Sequence, residues 1–236
     1  MNTYRFAYAA GALFFALIWA AFFLAGKTRR MAMVWTGVIV GLAGVLSEYF
    51  FVPEYWHPYY IVEFSLHLPH KTFIFGPEDF FYAFFISGIY YALFDVFYRF
   101  RKSGASEFRL TSRGLFRFLV LCGLFLVVFS LFMLKFSAMN SILLTMVVLN
   151  VFMHIRNPGT TRAALLAGFI AGIGYWLAYV LVLVPIFPES IGLFWNRSGI
   201  LGIYLAGIPV EEMLYAFVMT MFIGPFYRFV FVDKLL

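Results

Sequence analysis

With 236 residues, of which 64% are hydrophobic, 22% aromatic and only 12% charged, and a mean hydropathy of +0.92, the chain is far more apolar than a soluble globular domain. Its net charge of +6 does not point to nucleic acid, because the basic residues form short clusters between apolar runs, where lipid headgroups and topology account for them. The lone cysteine, Cys122, excludes an intrachain disulfide and a cysteine metal cluster.

Apolar runs read against charged, proline and glycine breaks give seven helices, over 4–26, 31–52, 77–98, 114–135, 138–154, 163–187 and 203–229. Most reach the ~20 residues that a helix needs to cross a bilayer, and the alternation of a membrane barrel is absent. The first run follows a single Arg and is too long for a signal-peptide core, so it is expected to be retained. The segment from Pro53 to Gly76 reads as a long loop, and no break is long enough to divide the chain into separate domains. Thirteen of the 17 Lys and Arg residues fall on one side of the seven helices and four on the other. The positive-inside rule then puts the N-terminus outside and the C-terminus in the cytoplasm of a multi-pass membrane protein.

Two stretches carry the chemistry. Ile208-Pro209-Val210-Glu211-Glu212-Met213-Leu214-Tyr215-Ala216-Phe217 aligns without gaps on Phe75-Gly76-Pro77-Glu78-Asp79-Phe80-Phe81-Tyr82-Ala83-Phe84. Both runs close alike, at Phe97-Tyr98-Arg99-Phe100 and Phe226-Tyr227-Arg228-Phe229, and a Pro-Glu pair precedes each (Pro53-Glu54 and Pro188-Glu189). The expected fold is therefore all-α, one membrane domain over 1–236, with a first three-helix repeat over 1–100, a connector helix over 101–137 and a second repeat over 138–236. An odd connector makes the repeats parallel, so the acidic pairs share a depth and a side.

Proline just before the acids suits the first turn of a helix, where the macrodipole also favours negative charge. First-turn capping would explain one such motif, but an ionisable residue in the hydrocarbon zone costs about 2.5–3.5 kcal/mol, and two matched pairs ask for a shared interior role. Adjacent side chains on a helix diverge by about 100°, so one acid of each pair is expected to face the bundle. Glu78 and Tyr82, like Glu211 and Tyr215, stand one turn apart on a common face. Carboxyls brought together away from water favour a shared proton, which sets an acid beside its conjugate base. Glu48, near the end of the second helix, is a further candidate for the same outer-half cavity. No Gly-x-Gly-x-x-Gly follows a strand, and His67-Leu68-Pro69-His70 lacks helical ligand spacing, so neither a nucleotide cofactor nor a metal is expected.

On these motifs the chain resembles the integral-membrane, two-repeat lycopene cyclases, whose repeats each carry Pro-x-Glu-Glu at a helix start. Pro209-Val210-Glu211-Glu212 matches in full, whereas Gly76-Pro77-Glu78-Asp79 has its proline displaced and Asp as the second acid. The resemblance implies a redox-neutral lycopene β-cyclase of the intramolecular lyase or isomerase type, needing no cofactor and acting on a lipophilic polyene among membrane lipids. It implies Glu78 and Glu211 as the chemically central pair, Asp79 and Glu212 as proton partners or orienters, and Tyr82 and Tyr215 as substrate contacts. A carotenoid or lipid carrier, a proton-coupled transporter and a cyclase of another polyprenoid are the alternatives, and homo-oligomerisation stays open. An intramembrane CAAX-type protease is disfavoured because Ala216 stands where its arginine belongs, and an opsin because the last helix has no internal lysine.

Overall fold

The computed structural model describes residues 3–99, 111–196 and 201–231. Seven long helices dominate it: α1 (Ala7–Ala25), α2 (Arg30–Phe51), α3 (Pro77–Arg99), α4 (Ser112–Met133), α5 (Ala138–Arg156), α6 (Thr161–Ala178) and α7 (Val210–Phe231). Each lies in a segment long and apolar enough to span a membrane. Both acidic pairs occupy a first helical turn, with Pro77 opening α3 and Pro209 directly preceding α7. Of the expected basic positions, Arg101, Lys102, Arg109, Arg197 and Lys234 lie outside the described residues, as does the side chain of Arg99.

Two elements differ from the sequence reading. The last helix does not begin near 203; residues 204–209 instead form a small hairpin, β3 (Tyr204–Leu205) against β4 (Ile208–Pro209), closed by Ala206 and Gly207 with φ of 50° and 82°. Two successive left-handed residues are what a tight two-residue hairpin requires, and glycine takes that conformation without strain. The loop before α3 likewise holds a hairpin, β1 (Phe64–His67) with β2 (Thr72–Phe75), in the register Phe64 opposite Phe75. Phe64 on β1 and Thr72, Phe73, Ile74 and Phe75 on β2 favour this pairing. Each acid-bearing helix is thus entered from a hairpin.

Glycine governs how closely the helices meet. A Cβ on Gly37 or Gly41 of α2 would lie 2.7 or 2.8 Å from the Phe84 or Phe80 ring of α3. One on Gly168 or Gly172 of α6 would lie 2.9 or 3.1 Å from the backbone oxygens of Phe217 or Met213 in α7. Without side chains at these positions the helices pack at short range, as membrane helices do through small residues. The two acid helices also contact each other, and Gly224 of α7 admits Phe94 of α3. Asn150 Nδ2 in α5 donates to Val218 O in α7 at 2.9 Å, an interhelical bond. Asp95 Oδ1 receives Arg228 Nη2 at 3.4 Å from across the bundle.

A proline interrupts the last turns of the sixth span. Pro185 has no N–H to return to Leu181, and the helix widens into a π-helical segment over Tyr179–Leu183 before ending at Ile186. That widening starts at Tyr179, which reaches the site described next.

Candidate functional site

The acidic end of the bundle encloses a cavity of about 210 Å³ whose walls are mostly apolar and aromatic. Three carboxylates line it: Glu48 of α2, Asp79 of α3 and Glu212 of α7, together with Tyr82 and Tyr215. All three acids are buried, at 6%, 2% and 6% exposure, so each needs polar partners to offset the loss of water. The sequence supplies them from distant elements.

Asp79 Oδ1 accepts hydrogen bonds from Tyr8 Oη at 2.9 Å and Tyr60 Oη at 3.2 Å, and its Oδ2 accepts one from the Gly76 N–H at 2.8 Å. Glu212 Oε1 accepts from Tyr55 Oη at 2.5 Å and Trp195 Nε1 at 2.8 Å, while its Oε2 accepts from Tyr179 Oη at 3.5 Å. Beyond Tyr179 the phenols continue as a chain, with Tyr175 at 3.0 Å and then Tyr82 at 2.7 Å. Glu48 is different: among the described residues it accepts a bond only from Trp56 Nε1, at 2.9 Å to Oε2. Trp56 and Trp195 also form a backbone bridge, tying the loop after α2 to the loop before α7.

Two of these donors lie outside the spanning helices and have perturbed phenols. Burial first, then the charge of Glu212, pushes Tyr55 well above the ordinary phenol value. Burial, then the charges of Glu48 and Asp79, pushes Tyr60 up as well. Both phenols therefore stay protonated donors at every physiological pH.

The first acid of each pair, Glu78 and Glu211, does not line the cavity, although the resemblance implied these two as the central pair. Glu78 Oε1 accepts from the Ile61 N–H at 2.8 Å, and Glu211 Oε1 accepts from the Leu201 N–H. Each thus pins its helix to the loop that precedes it, and the second oxygen of each is buried without a hydrogen-bond partner among the described residues. The cause is the angle between neighbours on a helix: with one acid turned back to the loop amides, the next is carried about 100° around, into the bundle. Asp79 and Glu212 thereby occupy the cavity-lining position in both acidic motifs.

Glu48, Tyr82 and Tyr215, also singled out in the sequence, line the cavity. Tyr8, Tyr55, Trp56, Tyr60, Tyr175, Tyr179 and Trp195 were not foreseen. The dense aromatic run from Tyr55 to Tyr60 was the available signal, but interfacial aromatic belts produce the same pattern.

The arrangement can hold a proton, accept one and surround a transient cation with ring faces. It is also apolar enough to admit a hydrocarbon. Residues 138–230, which include α5, α6 and α7 with Glu211 and Glu212, match the family model described as lycopene cyclase. Over these residues, less than half of the chain, the protein is similar to that family, which supports a carotenoid cyclase function with a lipophilic carotenoid substrate in a membrane. Neither the curated proteins nor the solved structures provide a match.

Proposed function

We propose that this chain, similar to the lycopene cyclases over its α5–α7 portion, closes β-rings on acyclic carotenoid ends by acid catalysis without a cofactor. In that reaction a proton adds to the terminal double bond of the end group, the resulting tertiary cation is attacked by the next double bond in reach, and a ring proton leaves to restore an alkene. One proton enters and one departs, with no net transfer of electrons.

The hydrogen-bond pattern suggests how the three acids divide this work. Asp79 accepts three hydrogen bonds and Glu212 also accepts three, all from groups acting as donors, as suits ionised carboxylates. Glu48 accepts one, which leaves an oxygen free to carry the transferable proton. In this reading Glu48 is the general acid. Asp79 stabilises the cation electrostatically, with the ring faces of Tyr82 and Tyr215 each adding about 0.5–2 kcal/mol. Glu212 takes up the departing proton, and the Tyr179, Tyr175 and Tyr82 hydroxyls offer a route for its redistribution. Glu78 and Glu211 act at one remove, fixing the rotation of α3 and α7 through the loop amides of Ile61 and Leu201.

The two halves contribute unequally, and this is consistent with the proposed duplication. Glu48 is supplied by the first repeat alone, and Tyr55 of the first reaches Glu212 of the second. With the basic loops in the cytoplasm, the cavity lies in the outer half of the membrane.

The observation that carries this reading is the convergence of Glu48, Asp79 and Glu212 on one buried, aromatic hollow. It is tested by expression in cells that accumulate lycopene. Ring-closed, colour-shifted carotenoids are expected; unchanged lycopene with the protein inserted in the membrane would refute the cyclase reading and favour a carrier.

A further inference from the structure

A second cavity, of about 330 Å³, continues from the acid chamber between α1, α3 and α6. The two share Phe14, Phe15, Ile86, Tyr90, Tyr175 and Ala178, so they adjoin along these residues. The second arm leads away from the acidic end, since its further walls are Phe22 of α1, Leu93 of α3 and Ile170 of α6. From Phe14 to Phe22 it follows α1 for about 12 Å at 1.5 Å per residue. Among the described residues no carboxylate or basic group lines it.

Its side wall is thin. Helices α1 and α6 are not packed closely against each other, and Leu177 and Leu181, which line the arm, are also exposed on the outer surface of the bundle. Tyr90, only 4% exposed, lines both cavities.

We propose that this arm holds the unreacted polyene of the substrate, which slides in from the bilayer between α1 and α6, so that one end group is cyclised in each binding event. The inference rests on the cyclase reading and adds the substrate's path to it. An acyl chain of a membrane lipid would find the same apolar walls, but it has no reacting group to present to Glu48.

The experiment uses Gly174→Trp. Gly174 lines the arm, and a Cβ built there meets nothing within 4 Å, so the indole fills the passage without displacing a neighbour. Gly123→Trp on α4 is the control, since that site is equally open but outside both cavities. Binding is read as lycopene retained by purified Glu48→Gln protein, in which it is not consumed. Adding Gly174→Trp is expected to lower retention about tenfold, which corresponds to ~1.4 kcal/mol, and adding Gly123→Trp to leave it unchanged. In the otherwise unaltered chain, Gly174→Trp should impair cyclisation of lycopene but spare a short acyclic isoprenoid with the same end group. Undiminished lycopene retention with Gly174→Trp, or displacement of lipid alone, would overturn the proposal while leaving the cyclase reading standing. Lycopene that is retained by the unaltered chain yet never cyclised would instead refute the cyclase reading.

Discussion

Replacing Glu48 by Gln isolates the proton from everything else that the side chain does. Glutamine has the same shape, and its carbonyl oxygen still accepts the Trp56 Nε1–H that Glu48 Oε2 accepts at 2.9 Å, so the loop after α2 keeps its anchor. Burial of a neutral amide at this 6% exposed position adds no desolvation penalty beyond that of the acid. What disappears is the transferable proton. General acid catalysis contributes about 10²–10⁴-fold, or ~2.7–5.5 kcal/mol of barrier at ~1.36 kcal/mol per decade. The assay is the initial rate of ring formation in reconstituted membranes, normalised to protein that retains its thermal transition. Cyclisation is expected to fall by about 10²–10⁴-fold with lycopene still bound. A rate within a few-fold of the unaltered chain would remove Glu48 from the acid's role and leave the proton with another group.

Tyr55→Phe removes the 2.5 Å bond to Glu212; a hydrogen bond to a charged group is worth about 1.5–3 kcal/mol, so turnover should drop by about 10- to 100-fold, measured in the same membranes. Stability should also depend on alkaline pH. The folded Tyr60 phenol titrates above its unfolded value of about 10, so the unfolded chain binds fewer protons above that pH and stability falls as pH rises; Tyr60→Phe should flatten the decline in a thermal denaturation series, and an unchanged slope would contradict this. Gly168→Val sets a methyl-bearing carbon about where a Cβ meets Phe217 O at 2.9 Å, and should lower the stability of the α6–α7 pair by about 1–3 kcal/mol, seen as a lower melting temperature in detergent.

The spans were legible in the sequence because a bilayer imposes length and hydropathy directly, and α1 through α6 begin within a few residues of where the apolar runs do. The start of α7 was not, because Tyr204, Leu205 and Ile208 are as apolar as the helix they precede, and only Ala206-Gly207 marks the turn. The hairpin over 64–75 was hidden inside a segment read as loop. The acidic pairs announced the site through their repetition. Which acid of each pair turns inward depends on the rotation of α3 and α7, and that is set by the amides of Ile61 and Leu201, contacts that no local pattern encodes. The partners Tyr8, Tyr55 and Trp195 come from elements up to 157 residues away from the acids they hold, so only the folded chain brings them together.

Setting the two acids of each pair against each other tests the account most directly. Turnover of lycopene is measured for Asp79→Asn with Glu212→Gln, and for Glu78→Gln with Glu211→Gln, each normalised to folded protein in the membrane. The first combination is expected to fall to background and the second to keep measurable ring formation. The reverse order, with the cavity-facing substitutions active and the loop-facing ones dead, would contradict the assignment of the chemistry to this chamber.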